Sequence, residues 1–208
     1  MNRIFVATSN RGKLRDFAAA AQAHLEILPV PNFSSLPAVE EDGATFEENA
    51  RKKAEFYSRA VPGEIVLADD SGLEVDALGG APGVHSARYA TPDKSENASD
   101  EANNSRLLRE LADVPDAKRT ARFVCVIAAA RDGAILATFR ADASGVILHE
   151  TRGSGGFGYD PLFYFADLKK TFGELPAEEK AAVSHRGKAF RRFLAWMREQ
   201  SSNMNTLR

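Results

Sequence analysis

Ile4-Phe5-Val6-Ala7-Thr8-Ser9-Asn10-Arg11-Gly12-Lys13 opens with a short apolar run that gives way at once to a polar loop. The apolar part is too short for a helix and reads as a buried strand, with a helix expected from Leu14 to His24. Leu25-Glu26-Ile27-Leu28 follows as a second strand, ended by Pro29 and Pro31. Thr45-Phe46-Glu47-Glu48 has the Thr-x-x-Glu form of a capping box. The stripe Phe46, Ala50, Ala54 and Tyr57 then predicts an amphipathic helix through about Arg59. Glu64 to Ala68 is a β-rich run that stops at Asp69-Asp70-Ser71-Gly72. Strand, helix, strand, helix, strand at this rhythm makes an α/β core.

Outward from that core the pattern changes. Gly79-Gly80-Ala81-Pro82-Gly83 is a loop, Thr91 to Ser99 is a polar surface stretch, and Glu101 to Leu111 reads as a helix stopped before Pro115. Three strands follow, Phe123 to Ala129, Ala134 to Arg140 and Val146 to His149, with Asp132-Gly133 marking an antiparallel hairpin. Thr151 to Pro161 is a glycine-rich loop, and a last amphipathic helix runs from about Ser184 to Glu199. There is no internal repeat and no clean linker. Residues 1–200 are read as one domain and 201–208 as a flexible tail.

Composition narrows the class. With 208 residues, 44% of them hydrophobic, the chain can bury a core without a disulfide or metal staple. Lys and Arg number 27 against 29 Asp and Glu, a net charge of −2, which argues against nucleic-acid polymers and membrane surfaces as partners. The single cysteine, Cys125, excludes an internal disulfide and lies in an apolar strand, so it is read as core. The apolar run at the start is too short for a signal peptide, and no stretch approaches the roughly 18 apolar residues of a membrane span. A cytoplasmic protein is expected. Asn97-Ala98-Ser99 and Asn103-Asn104-Ser105 match glycosylation acceptors, but in that setting by chance.

Several segments carry candidate chemistry, and each also has a plain structural reading. Thr8 to Lys13 lies between strand and helix, where backbone N–H groups, a lysine and a helix N-terminus can hold phosphate. It lacks the glycine spacing and the Ser/Thr of a P-loop, so a turn capped by Ser9 or Asn10 stands beside that reading. Glu40-Glu41-Asp42 is either a solvated acidic loop or a set of hard oxygens for Mg²⁺, and Lys53 is either a snorkelling lysine or a charge aimed into a cleft. Asp69 and Asp70 follow a buried strand, where open α/β sheets place ligands. Alternation along the strand sends the two side chains to opposite faces, so one of the pair would address a given site. An Asx-turn with Gly72 at positive φ is the competing reading. Gly153 to Pro161 mixes glycines, aromatics and an acid, which suits a backbone that approaches a ligand and a ring that stacks on a base. Lys180, His185 and Arg186 add cation-capable groups near a helix start. The inventory is that of a nucleotide site with Mg²⁺.

The ordered blocks Ala7-Thr8-Ser9-Asn10 with Gly12-Lys13, Thr45-Phe46 with Glu48-Asn49-Ala50, Asp69-Asp70-Ser71-Gly72-Leu73, Ser86-Ala87-Arg88-Tyr89, Gly155 to Pro161 and Ser184-His185-Arg186 resemble the inosine/xanthosine triphosphate pyrophosphatase family over roughly Ile4 to Phe193. Ser9 and Thr91 stand where that family often has glycine. The resemblance implies an elongated mixed β-sheet flanked by helices, two lobes with a central cleft, and a homodimer. It implies that Thr8, Ser9, Asn10, Arg11, Gly12, Lys13 and Lys53 hold the triphosphate. It further implies that Glu40 and Asp70 bind Mg²⁺, with Asp70 also the base for the attacking water. Ser71, Phe157, Gly158, Tyr159, Asp160, Lys180, His185 and Arg186 would form the substrate pocket. The implied reaction converts a non-standard purine nucleoside triphosphate (ITP, dITP, XTP) to the monophosphate and pyrophosphate. A purine-triphosphate sensor without turnover, or a pyrophosphatase for modified pyrimidine triphosphates, are the alternatives.

Overall fold

The computed structural model describes residues 2–21, 25–93 and 96–206. Its strands are β1 (Asn2–Val6), β2 (Leu25–Pro29), β3 (Val66–Val75), β4 (Thr120–Arg131), β5 (Ala134–Ile147), β6 (Phe163–Phe165) and β7 (Lys170–Thr171). Its helices are α1 (Arg11–Ala20), α2 (Phe46–Tyr57), α3 (Asp100–Glu110), α4 (Ala177–Val183) and α5 (His185–Thr206). The strands form one mixed sheet in the order β2-β1-β3-β4-β5-β6-β7. β1 runs parallel to both β2 and β3, whereas β6 is antiparallel to β5 and β7. The fold is α/β, as the alternating pattern of the first 70 residues requires.

By contacts the chain divides into two compact units, Met1–Asp70 with Cys125–Ala141 and His185–Arg208, and Ser71–Val124 with Asp142–Ser184. In the first, Ile4 and Val6 of β1, Leu67 of β3 and Ile127 of β4 pack with Phe17 of α1 and Phe190 and Phe193 of α5. Phe17 meets Phe190 edge-on at 5.3 Å between centroids. In the second, Phe123, Phe163 and Phe172 form an aromatic cluster, with Phe163 4.7 Å from Phe123 and 4.8 Å from Phe172. Leu73, Leu107 and Leu162 are buried around it.

Several boundaries differ from the sequence reading. α1 begins at Arg11 because the Asn10 side chain accepts the Lys13 N–H at 3.0 Å, drawing Arg11, Gly12 and Lys13 into the first turn. That helix ends at Ala20, with Ala21 extended, short of the expected His24, which itself lies outside the described residues. β3 does not stop at Ala68: it continues through Asp69, Asp70, Ser71 and Gly72 to Val75, so neither a strand end nor an Asx-turn exists there. The two strands expected across Ala134 to His149 are one strand, β5. At Gly145 a Cβ would come within 2.5 Å of the Tyr164 carbonyl, so the glycine is what lets β6 lie alongside. α5 runs on through Thr206 rather than ending at Glu199, which makes Ser201 to Thr206 helical; Leu207 and Arg208 lie outside the described residues. The capping box at Thr45 and Glu48 is present, and Phe46, Ala50, Ala54 and Tyr57 are all buried, as their spacing predicts. The hairpin turn at Asp132-Gly133 has both residues at positive φ, 52° and 82°, the geometry that two-residue hairpins favour. Asn103 and Asn104 are buried on α3, which disposes of the second glycosylation match.

Candidate functional site

Asp69 and Asp70 lie in the middle of a buried strand, and successive residues of a strand face opposite ways. Each carboxylate therefore meets a different set of cations. Asp69 is 2% exposed and accepts from Lys13 Nζ at 3.1 Å and from Nε and Nη2 of Arg186, both at 3.3 Å. Arg186 Nη1 in turn reaches Asp16 Oδ2 at 2.6 Å. Burial alone would raise the Asp69 pKa, but Lys13 and Arg186 outweigh it and hold the carboxyl well below the usual range. The same acids keep the buried Arg186 guanidinium charged against its own desolvation.

Asp70 faces α2. Asn49 Nδ2 donates to its Oδ2 at 3.0 Å, and Lys53 Nζ stands 3.6 Å from its Oδ1. Asn49 is fixed from behind, because its Oδ1 accepts the Gly43 N–H at 2.8 Å. Asn49 and Lys53 are one helical turn apart and so share a face of α2. Lys53 also donates to Glu41 Oε2 at 3.0 Å, and Glu41 lies within hydrogen-bonding reach of Asp70. Burial pushes the Asp70 pKa up, aided by the Glu41 charge and opposed by Lys53 and Lys13. Glu41 goes the other way: burial raises it, but the charge and hydrogen bond of Lys53 win. Asp70 is thus the more basic of the two acids. Lys53 remains an ammonium because Asp70 and Glu41 overcome its burial.

The remaining residues of the first unit are placed as follows. The Asn10 N–H donates to Thr8 Oγ1 at 3.1 Å, which shapes the loop into α1. Ser9, Asn10 and Arg11 are exposed, Gly12 is buried, and His185 is buried at the start of α5. The acid that joins Asp70 and Lys53 is Glu41 and not Glu40, which is exposed and adds its charge to the field on Lys52. The Arg186 guanidinium lies in a buried ion-pair network with Asp16 and Asp69.

In the second unit Ser71 is half-buried on β3, directly after Asp70. Asp160 Oδ2 accepts the Phe157 N–H at 2.9 Å and Lys180 Nζ at 2.6 Å, and the Lys180 ammonium lies 5.0 Å from the centre of the Phe157 ring. Gly156, at φ 73°, must be glycine because a Cβ there would come within 2.0 Å of Asp160 Oδ2. Phe157, Gly158, Asp160 and Lys180 are thus brought together. Tyr159 is held differently: its ring belongs to the apolar core and its hydroxyl donates to the Ser86 carbonyl at 2.8 Å.

The sequence offers Glu41 within the acidic Glu40-Glu41-Asp42 loop and Asn49 four residues before Lys53 on the same helix face, but assigns neither to the site. Asp16 carries no such signal, because its partner Arg186 is distant in sequence.

Among the described residues no three of His, Cys, Asp and Glu converge as a closed metal cage. The Glu41–Asp70 pair offers hard oxygens of the kind Mg²⁺ takes when substrate phosphates supply the other ligands. The donor set fits such an ion.

A mixed α/β sheet carrying paired acids on a central strand, with lysines set against them, defines a class of α/β proteins with a buried charged cluster. Comparison places it within that class: the chain belongs to the Ham1 family, whose profile matches residues 4–196. It is 52% identical over 197 residues to the dITP/XTP pyrophosphatase of Acidobacterium capsulatum, covering 92% of this chain and 96% of that protein. It is 54% identical over 190 residues to that of Geobacter sulfurreducens, covering 91% and 93%. Among solved structures, the Staphylococcus aureus Ham1 protein matches with a TM-score of 0.80 at 40% identity, over 96% of this chain and all of that one (100%).

Proposed function

We propose that this enzyme, a nucleoside-triphosphate pyrophosphatase, hydrolyses non-standard purine nucleoside triphosphates (dITP, ITP and XTP) to the monophosphate and pyrophosphate by water attack at the α-phosphorus. The observation that carries the reading is the environment of Asp70: a buried carboxyl, oriented by Asn49, beside a second acid and under two lysines. Kinship with proteins named dITP/XTP pyrophosphatase at 52% and 54% identity supports the substrate class.

Each residue has a stated task. Lys13 and Lys53 offset the charge of the triphosphate, helped by the positive end of the α1 dipole. Asp70 accepts the proton of the attacking water, a contribution of about 10²–10⁴-fold in rate. Asn49 fixes the carboxylate so that one oxygen stays directed at the water. Mg²⁺, held by Asp70 and Glu41, supplies Lewis-acid stabilisation of phosphoryl oxygens when bound. Phe157 offers a face for the purine, with Lys180 and Asp160 holding that segment in place. Donors that meet a 6-oxo group favour hypoxanthine and xanthine over adenine, and His185 is the candidate for that donor.

The enzyme is proposed to work in the cytoplasm as a homodimer; among the described residues no helix is long and apolar enough to cross a membrane. The decisive experiment follows dITP, XTP, GTP and ATP hydrolysis in ¹⁸O-water with Mg²⁺, with an EDTA control. Label recovered in the monophosphate supports attack at the α-phosphorus. Label in pyrophosphate, equal specificity for all four nucleotides, or full turnover by Asp70→Asn would each overturn the assignment.

A further inference from the structure

Gly158 is held by α3 through both of its main-chain polar groups. Its N–H donates to Asp100 Oδ2 at 2.6 Å, and its C=O accepts from Asn104 Nδ2 at 3.0 Å. Asp100 and Asn104 are four residues apart on α3, so one helix face carries both contacts. Gly158 has φ 62°, and a Cβ there would meet nothing within 4 Å. The glycine therefore serves a backbone angle and not a crowded wall, and that angle is what the two side chains hold.

The clamp sits on a rigid base. Ser99 Oγ caps α3 by accepting the Ala102 N–H at 3.1 Å. Asn103 accepts the Ala90 N–H at 2.8 Å and donates to the Ala87 carbonyl at 3.2 Å, tying the preceding segment to the same helix. Asn104 is 8% exposed, and its Oδ1 is buried with no hydrogen-bond partner among the described residues. An unsatisfied buried acceptor weakens a fold, so stability alone would favour an apolar side chain at this position. What Asn104 supplies in exchange is the bond to Gly158.

We propose that Asp100 and Asn104 are positioning residues for substrate binding: by fixing the peptide planes on either side of Gly158 they set the Phe157 ring, and the Asp160–Lys180 pair beside it, for the nucleobase. This rests on the reading of Phe157 to Asp160 as the base-binding segment. Neither residue belongs to the set implied by the family resemblance.

The test is steady-state dITP hydrolysis by Asp100→Ala, Asn104→Asp and Asp100→Asn, each with a thermal melt, alongside Phe157→Ala. Inorganic tripolyphosphate, which has no base, serves as a competitive probe of the phosphate end. Losing one such hydrogen bond should raise KM for dITP by about tenfold, with a smaller change in kcat and the tripolyphosphate inhibition constant unmoved. Asp100→Asn keeps an acceptor oxygen and should recover most of the KM that Asp100→Ala loses. If Asn104→Asp does not fold, the two Asp100 variants decide the matter. An unchanged KM in the clamp variants while Phe157→Ala raises it would overturn the proposal, as would a parallel rise in the tripolyphosphate constant. An unchanged KM in Phe157→Ala would instead remove the base-pocket reading, and the clamp's role with it.

Discussion

Replacing Arg186 by methionine separates a structural guanidinium from one that contacts the base. Arg186 is 2% exposed and bonds Asp69 twice, at 3.3 Å, and Asp16 once, at 2.6 Å. Methionine fills similar volume but leaves two acids without their shared cation. Removing one partner of a buried ion pair costs about 3–5 kcal/mol, because the charge left behind remains desolvated. Lys13 still stands 3.1 Å from Asp69, so the lower end, about 3 kcal/mol, is expected. For a chain of this size each kcal/mol lowers the melting temperature by about 2–4 °C, giving a fall of about 6–12 °C. The assay is thermal unfolding by circular dichroism without substrate, repeated for Asp69→Asn and for the double variant. The double variant should lose less than the sum of the singles, by about 0.5–3 kcal/mol, since the two residues share one network. A melting temperature within about 2 °C of the parent, together with a raised KM for dITP, would refute the buried-network reasoning and return Arg186 to the base pocket.

Asp69 makes folding pH-dependent with a definite sign. Its folded-state pKa lies below the unfolded value of about 3.9, so its stabilisation is complete above that pH and is lost as pH falls through the folded value. Urea midpoints measured from pH 7 to pH 2 should therefore drop below pH 4 more steeply in the parent than in Asp69→Asn, and equal slopes would contradict the assignment. Gly156→Ala and Gly158→Ala should differ although both glycines have positive φ. The first drives a Cβ to within 2.0 Å of Asp160 and should raise KM for dITP at least about tenfold, whereas the second carries only backbone strain of about 1–2 kcal/mol, visible as a modest melting shift. Matching effects would show that the Gly156–Asp160 approach has no bearing on substrate. Glu41→Gln should raise the Mg²⁺ concentration needed for half-maximal activity, and Glu40→Gln should not; the reverse result would restore Glu40 as the second carboxylate.

The α/β class was legible because it depends on local periodicity. The capping box of α2 and its apolar stripe are patterns within a dozen residues, and both are present as read. Errors occurred where an element is decided by remote partners or is too short to show a period. β7 has two residues and α4 seven, below the length at which alternation or helical spacing can be recognised. Gly145, inside the long strand β5, provides the gap for the Tyr164 carbonyl, a partner that the local sequence does not announce.

The acids of β3 show the same division in the site. Asp69-Asp70-Ser71-Gly72 has turn composition, and a turn would be correct if the carboxylates had to reach water. They stay inside a strand because Lys13, 56 residues away, and Arg186, 117 residues away, neutralise Asp69, while Asn49 and Lys53 receive Asp70. Strand alternation then converts two adjacent, chemically identical residues into opposite roles. One carboxyl is held far into its ionised form and fixes a lysine in place; its neighbour is pushed toward protonation, next to a second acid. The base proposed at Asp70 needs the second environment, while the first ties Lys13 to Asp69. The net charge of −2 reports none of this, since it sums charges whose function lies in which of them are buried together.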